Sequence, residues 1–253
     1  MQPSGLPAVL RHTEDDETMK LAILGNSHTA ALLHAPRADA SLISGLDITF
    51  FASIGRTMED FALEAGQLVP QTDELRQSLI TTSRGSDRFD PNLFDQVLIV
   101  GLAFNMPPID TRLSQAVRDA VLRNGVEGSV AWKLAKMIRS VSSVPILASH
   151  TPLRAADVSE RFEATLSNCM SYDAMIAKSQ MFWNPLQVQV LSQPAITRYR
   201  DILTKRSFSR GSRGLRGPGL EHDDSDRSHM NDEYGAIYLR QLRAELSKQR
   251  RSA

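Results

Sequence analysis

The sequence predicts an α/β fold with a buried parallel sheet, and three observations carry that expectation. Five short apolar runs recur along the chain. Stretches with apolar residues at helical spacing separate them. Runs that are apolar throughout belong to strands covered on both faces. Strands alternating with helices build parallel sheets, and right-handed crossovers then give a three-layer α/β/α domain of flavodoxin-like type with five parallel strands.

Each element follows in order. Residues 1–18 are polar and mixed in charge, with Glu14, Asp15, Asp16 and Glu17 together, and read as a flexible tail ahead of a single domain over 19–253. Leu21, Ala22, Ile23 and Leu24 end at Gly25 and form the first strand; residues 28–35 follow as an Ala- and Leu-rich helix. Further strands are expected at 47–53 (Ile48, Phe50, Phe51), 96–101 (Val97, Leu98, Ile99, Val100), 144–149 (Ile146, Leu147) and 186–192 (Val188, Val190, Leu191). Residues 71–91, with Gly85 among polar neighbours, suggest a small hairpin or irregular insertion.

A helix over 113–124 places Leu113, Ala116, Val117, Ala120 and Val121 on one face. A second, over 130–141, does the same with Val130, Leu134, Met137 and Ile138, and a less regular one spans 162–181. Residues 205–228 combine Gly211, Gly214, Gly217 and Gly219 with Lys205, Arg206, Arg210, Arg213 and Arg216, then an acidic run from Glu221 to Asp226. That composition reads as a mobile surface loop. The last helix, over 232–248, has Asn231 as N-cap, acidic Asp232 and Glu233 in its first turn, and an inner stripe of Gly235, Tyr238, Leu239, Leu242 and Leu246.

Composition removes several function classes. Lys plus Arg equals Asp plus Glu, at 29 each, so no global field attracts nucleic acid or an anionic membrane. The single cysteine, Cys169, permits no internal disulfide, fits a reducing compartment and reads as a small buried apolar residue in a helix. No apolar run approaches the roughly 18 residues of a membrane span, and the N-terminus has no apolar signal region. A cytoplasmic protein without nucleic-acid or membrane partners is expected. Neither zinc-ligand spacing nor a Gly-x-Gly-x-x-Gly or Walker A motif occurs, so neither a metal nor a cofactor is expected.

Two short blocks carry chemistry. In Gly25-Asn26-Ser27-His28, Ser27 stands at the carboxyl end of the first strand, where open α/β sheets form their sites. Alone, Ser27 reads more readily as a helix N-cap than as a nucleophile. In Asp226-Arg227-Ser228-His229, an imidazole has a carboxylate three residues away on one loop. Serine needs such a base, and the base needs such an orienting group. Alone, this pair reads more readily as a solvated acidic loop with a chance histidine.

Taken together, the two blocks resemble the SGNH (GDSL-like) hydrolases over about residues 20–248. That family carries its serine after the first strand and an Asp-x-x-His before the last helix. Here Asn26 replaces the usual Asp, His28 the common Leu, and Asn231 and Gly235 stand at places typical of the family. The resemblance implies the SGNH fold, Ser27 as nucleophile and Asp226 and His229 as its partners. It implies an oxyanion hole from the backbone of Ser27 and Gly55. The family's further Asn donor is replaced by Ala103, with Asn105 two residues on as substitute. His28 and His150, both at strand ends, are candidates for substrate contact. The implied function is hydrolysis of O-acyl esters, acylated carbohydrates among them, as a small-molecule or carbohydrate ester substrate. A sugar O-acyltransferase and a catalytically weak binding module are the alternatives.

Overall fold

Leu21, Ala22, Ile23 and Leu24 are wholly excluded from solvent, and they make β1 (Met19–Gly25) the centre of the sheet. The computed structural model describes residues 18–156, 168–215 and 221–252. Five strands pair in parallel in the order β2 (Leu46–Ala52), β1, β5 (Gln96–Val100), β6 (Ile146–Ser149) and β7 (Val188–Val190). The fold is the three-layer α/β/α arrangement that the sequence predicts. The chain steps from β1 to β2 on one side and returns to β5 on the other. The strand order thus reverses beside β1, the place where open sheets leave a crevice at their carboxyl ends.

Alternation along β1 divides the core. Leu21 and Ile23 face the layer of α1 (Ala30–His34) and α6 (Asp232–Ser252), with Tyr238, Leu239 and Leu242. Ala22 and Leu24 face the layer of α2 (Asp73–Ser83), α4 (Val130–Arg139) and α5 (Tyr172–Trp183). Successive strand residues point to opposite faces, so a strand apolar at every position must be covered twice.

The structure corrects the sequence reading in three places. The hairpin lies earlier than residues 71–91, in β3 (Phe61–Glu64) and β4 (Gln67–Pro70), and α2 occupies most of the stretch assigned to it. Thr72 caps α2 at Leu75 N–H, and only Leu75 and Leu79 are buried along it. On α3 (Gln115–Glu127) the expected inner face is turned outward: Leu113, Val117 and Val121 are 42%, 45% and 37% exposed, while Leu122 and Val126 are buried. The physical reason is position: α3 leans on α4 and α5 rather than on the sheet, so it buries only a narrow stripe.

The third expected helix begins later, at Tyr172 after the Ser171 cap; residues 162–167 of that expectation lie outside the described residues. Cys169 is half-buried and bridges Asp110 outside any helix.

Within residues 205–228, Phe208 is an apolar anchor in the basic stretch. Phe208, Ser209 and Ser212 are buried, and Phe208 joins Met230 and Tyr234. Asn231 caps α6 at Tyr234 N–H and donates from its side-chain amide to the carbonyls of Ser207 and Arg210. Residues 216–220, and residues 1–17 of the expected tail, lie outside the described residues. Among the described residues no helix is long and apolar enough to cross a membrane.

Candidate active site

At the end of β1 the chain must turn within two residues. A Cβ on Gly25 would stand 2.2 Å from Thr29 Cγ2 and 3.0 Å from the Val100 carbonyl oxygen, so only glycine fits. Asn26 then caps the short 3₁₀ turn over residues 27–29, its side-chain oxygen accepting from His28 N–H at 3.3 Å. The capping role therefore falls to Asn26. Ser27 keeps a half-buried hydroxyl that is free for another partner.

That partner is His229. Asp226 uses its two carboxylate oxygens separately. Oδ1 accepts the backbone N–H groups of Ser228 (2.6 Å) and His229 (3.1 Å), which fixes the loop. Oδ2 accepts from the His229 ring at Nδ1, 2.7 Å away. A carboxylate only accepts, so Nδ1 carries the proton and the Nε2 lone pair remains. Nε2 lies 2.9 Å from Ser27 Oγ and accepts from its hydroxyl. The Asp226 carbonyl accepts from Arg206 at 2.5 Å, and the Arg227 carbonyl from Ala155 N–H at 2.8 Å. The loop is thus tied to two neighbouring segments.

Electrostatics follow from this packing. Partial burial pushes the Asp226 carboxyl up, but the His229 ring and the two backbone N–H groups outweigh it and hold it at about 2. His28 stacks on His229 with centroids 5.2 Å apart. Burial, then the nearby His229 charge, lowers His28 to about 4, so it is neutral at neutral pH.

His222 stacks more closely, at 4.0 Å and 8° between planes, and its Nδ1 lies 3.6 Å from Asp226 Oδ2. Partial burial, then the His229 charge, lowers its pKa too. The sequence reading missed His222. Its only signal is the four-residue spacing to Asp226, which has no geometric meaning until the loop's path is known.

His222, Asp226 and His229 offer ligand atoms within 4.8 Å of one another, the one such group among the described residues. They fit a metal poorly. Imidazole lone pairs lie in the ring plane, so an ion between two parallel stacked rings would sit off both planes. A metal on Nδ1 of His229 would also move the ring proton to Nε2, which could then no longer accept from Ser27.

Of the remaining candidates, Gly55 has φ +61°, a left-handed backbone, and lines a cavity of about 250 Å³ with Asn105, Ala103 and His28. Asn105 is exposed at its rim, and Gly101, Leu102 and Ala103 before it all have positive φ. Leu102 and Ala103 form the centre of a tight turn closed by Phe104 N–H on the Gly101 carbonyl at 3.0 Å. Asn105, not Ala103, follows this turn.

His150 is placed differently from the expected substrate contact. It is 1% exposed, with Nε2 at 2.6 Å from the Tyr172 hydroxyl and Nδ1 at 2.5 Å from the Thr151 carbonyl. Both nitrogens are occupied within the core, because β6 ends one residue before it and Tyr172 covers it from α5.

No protein-family model matches the chain, and a search of the curated proteins finds no match. Solved structures similar to it include the periplasmic domain of a lipopolysaccharide acetyltransferase from Salmonella ser. Paratyphi A, at 10% identity, TM-score 0.44, over 92% of this chain and 85% of that one. A carbohydrate acetylesterase from Sinorhizobium meliloti is similar at 11% identity, TM-score 0.42, over 91% and 99%. An aryl esterase from M. smegmatis is similar at 11% identity, TM-score 0.44, over 91% and 99%.

Proposed function

We propose that the chain is a serine-dependent hydrolase of O-acyl esters working through an acyl-enzyme. The observation that carries this reading is the bridging imidazole: His229 reaches Ser27 Oγ at 2.9 Å and Asp226 Oδ2 at 2.7 Å at once. His229 Nε2 takes the Ser27 proton as Oγ attacks the ester carbonyl. The N–H groups of Ser27 and Gly55, with Asn105, are the donors proposed for the oxyanion. His229 then returns the proton to the leaving alcohol, and water, deprotonated by the same ring, releases the acid. Acylated carbohydrates are the proposed natural substrates, and transfer to a sugar hydroxyl instead of water differs only in the acceptor.

A catalytically weak binding module is the second reading, favoured by Ala103 at the place of the family's Asn donor. Losing one such donor costs about 3 kcal/mol of transition-state stabilisation.

The test is hydrolysis of p-nitrophenyl acetate by wild type, Ser27→Ala and His229→Ala. Turnover by wild type with both variants at background is expected, together with labelling of Ser27 by a fluorophosphonate. A wild type that matches its variants and resists the label would leave the binding module as the better account.

A further inference from the structure

Beside the proposed nucleophile, a cavity of about 580 Å³ opens at the carboxyl ends of β5 and β6. Met106, Leu153, Ile202 and Leu203 give it apolar walls, and His28 and Ser228, the neighbour of His229, stand in its lining. Arg154 is the only charged residue among the described residues that line it. Arg56, which lines the smaller cavity on the Gly55 side, is by contrast ion-paired to Glu59. Arg154 has no ion pair among the described residues, and its side chain is exposed.

Its backbone is anchored. The Arg154 carbonyl accepts from Thr204 N–H at 3.0 Å, and the next residue, Ala155, donates to the Arg227 carbonyl within the Asp226–His229 loop at 2.8 Å. A guanidinium presents a planar fork that matches a carboxylate in two parallel hydrogen bonds. One unneutralised cation balances one negative charge, which fits a carboxylate rather than a doubly charged phosphate.

We infer that this cavity is a subsite for a carboxylate-bearing ester, in which a short apolar spacer lies along the Met106–Leu203 wall and Arg154 binds the acid group. The inference rests on the hydrolase reading above and names its substrate class.

Two matched ester pairs test it. The charge sits on the acyl side in p-nitrophenyl hydrogen glutarate against p-nitrophenyl valerate. It sits on the alcohol side in 4-acetoxybenzoate against its methyl ester. For each pair the ratio of kcat/KM, acid over neutral, is measured in wild type, Arg154→Ala and Arg154→Lys, so intrinsic reactivity cancels between proteins. A fall in the ratio of about tenfold in Arg154→Ala, partly restored by lysine, is expected for one pair, which also tells the side on which the acid lies. Ratios unchanged by the substitution in both pairs would overturn the subsite.

Calorimetry separates this from failure of the hydrolase reading. Monomethyl glutarate and 4-acetoxybenzoate are titrated into Ser27→Ala, which cannot turn over. Affinity about tenfold weaker in Ser27→Ala/Arg154→Ala supports the subsite even if wild type hydrolyses nothing. Equal affinity, or no binding to either protein, counts against it.

Discussion

Asp226 shows how little of a hydrogen-bonded arrangement belongs to one residue type and how much to the atoms that surround it. One oxygen holds two backbone N–H groups and the other holds the His229 ring. Asp226→Asn presents a neutral amide that can orient the ring wrongly, with Nδ1 accepting from the amide and the proton on Nε2. We expect kcat for p-nitrophenyl acetate to fall about 10⁴-fold, with KM little changed. His222 touches the same ring by stacking and reaches Asp226 only at 3.6 Å. Its replacement by alanine is expected to cost only a few-fold, since stacking contributes about 1 kcal/mol. Equal losses in the two variants would mean that His222 shares the work assigned to Asp226. Ser27, Asp226 and His229 each have an innocent explanation when read singly, as cap, acidic loop and chance histidine. Only their order along the chain, relative to the first strand and the last helix, gives them a joint meaning. His222 has no such order to be read from, and Arg154 is one arginine among many until a cavity is seen beside it.

Helices α1 and α6 bring the two halves of the site together, and they meet at Gly235. A Cβ there would stand 2.0 Å from the Ala31 carbonyl oxygen and 2.5 Å from its carbon. Helix α1 begins three residues after Ser27, and α6 three residues after His229. Any separation of the helices therefore pulls directly on the 2.9 Å contact between Oγ and Nε2. Gly235→Ala should lower the urea midpoint and cut esterase activity at least tenfold. The sign is diagnostic, because alanine is favoured over glycine in a helix interior by about 1 kcal/mol. A stabilised, fully active Gly235→Ala protein would show that the helices do not meet so closely. The central strands β1, β5 and β6 are readable from the sequence because burial on both faces demands near-continuous apolar runs. Helix α2 is not, because it buries little more than Leu75 and Leu79 on a mostly polar surface. On α3, Val117–Val121 and Leu122–Val126 are both pairs at helical spacing, and the choice of inner pair depends on which neighbours the helix leans against. That information lies in the tertiary packing and not in the helix itself.

Across the molecule, burial keeps several imidazoles uncharged, and stability must depend on pH as a result. Burial lowers His28 and His150 to about 4, and His222 is lowered as well. The ordinary value for a free histidine is about 6.5. Between these limits the unfolded chain binds protons that the folded chain does not, so stability falls as the pH drops from about 6.5 toward 4. Each such group contributes a slope of up to about 1.4 kcal/mol per pH unit. Asp226 adds a loss of the same sign lower down, as the pH falls from about 4 toward 2, because its folded value is depressed to about 2. Urea denaturation at pH 7, 6, 5 and 4.5 should show a midpoint that moves steadily down. His150→Gln, which cannot titrate, should flatten that slope by about one proton even though it lowers the midpoint at pH 7 by removing the Tyr172 contact. A wild-type midpoint that is constant from pH 7 to 4.5 would rule out this account. The same burial bears on catalysis in the proposed mechanism. With His28 held neutral beside it, His229 is free to carry the proton from Ser27 without meeting a second positive ring. The acid sensitivity of the fold and the neutrality of the ring stacked on His229 then have one origin, the burial of His28 beside the carboxyl end of β1.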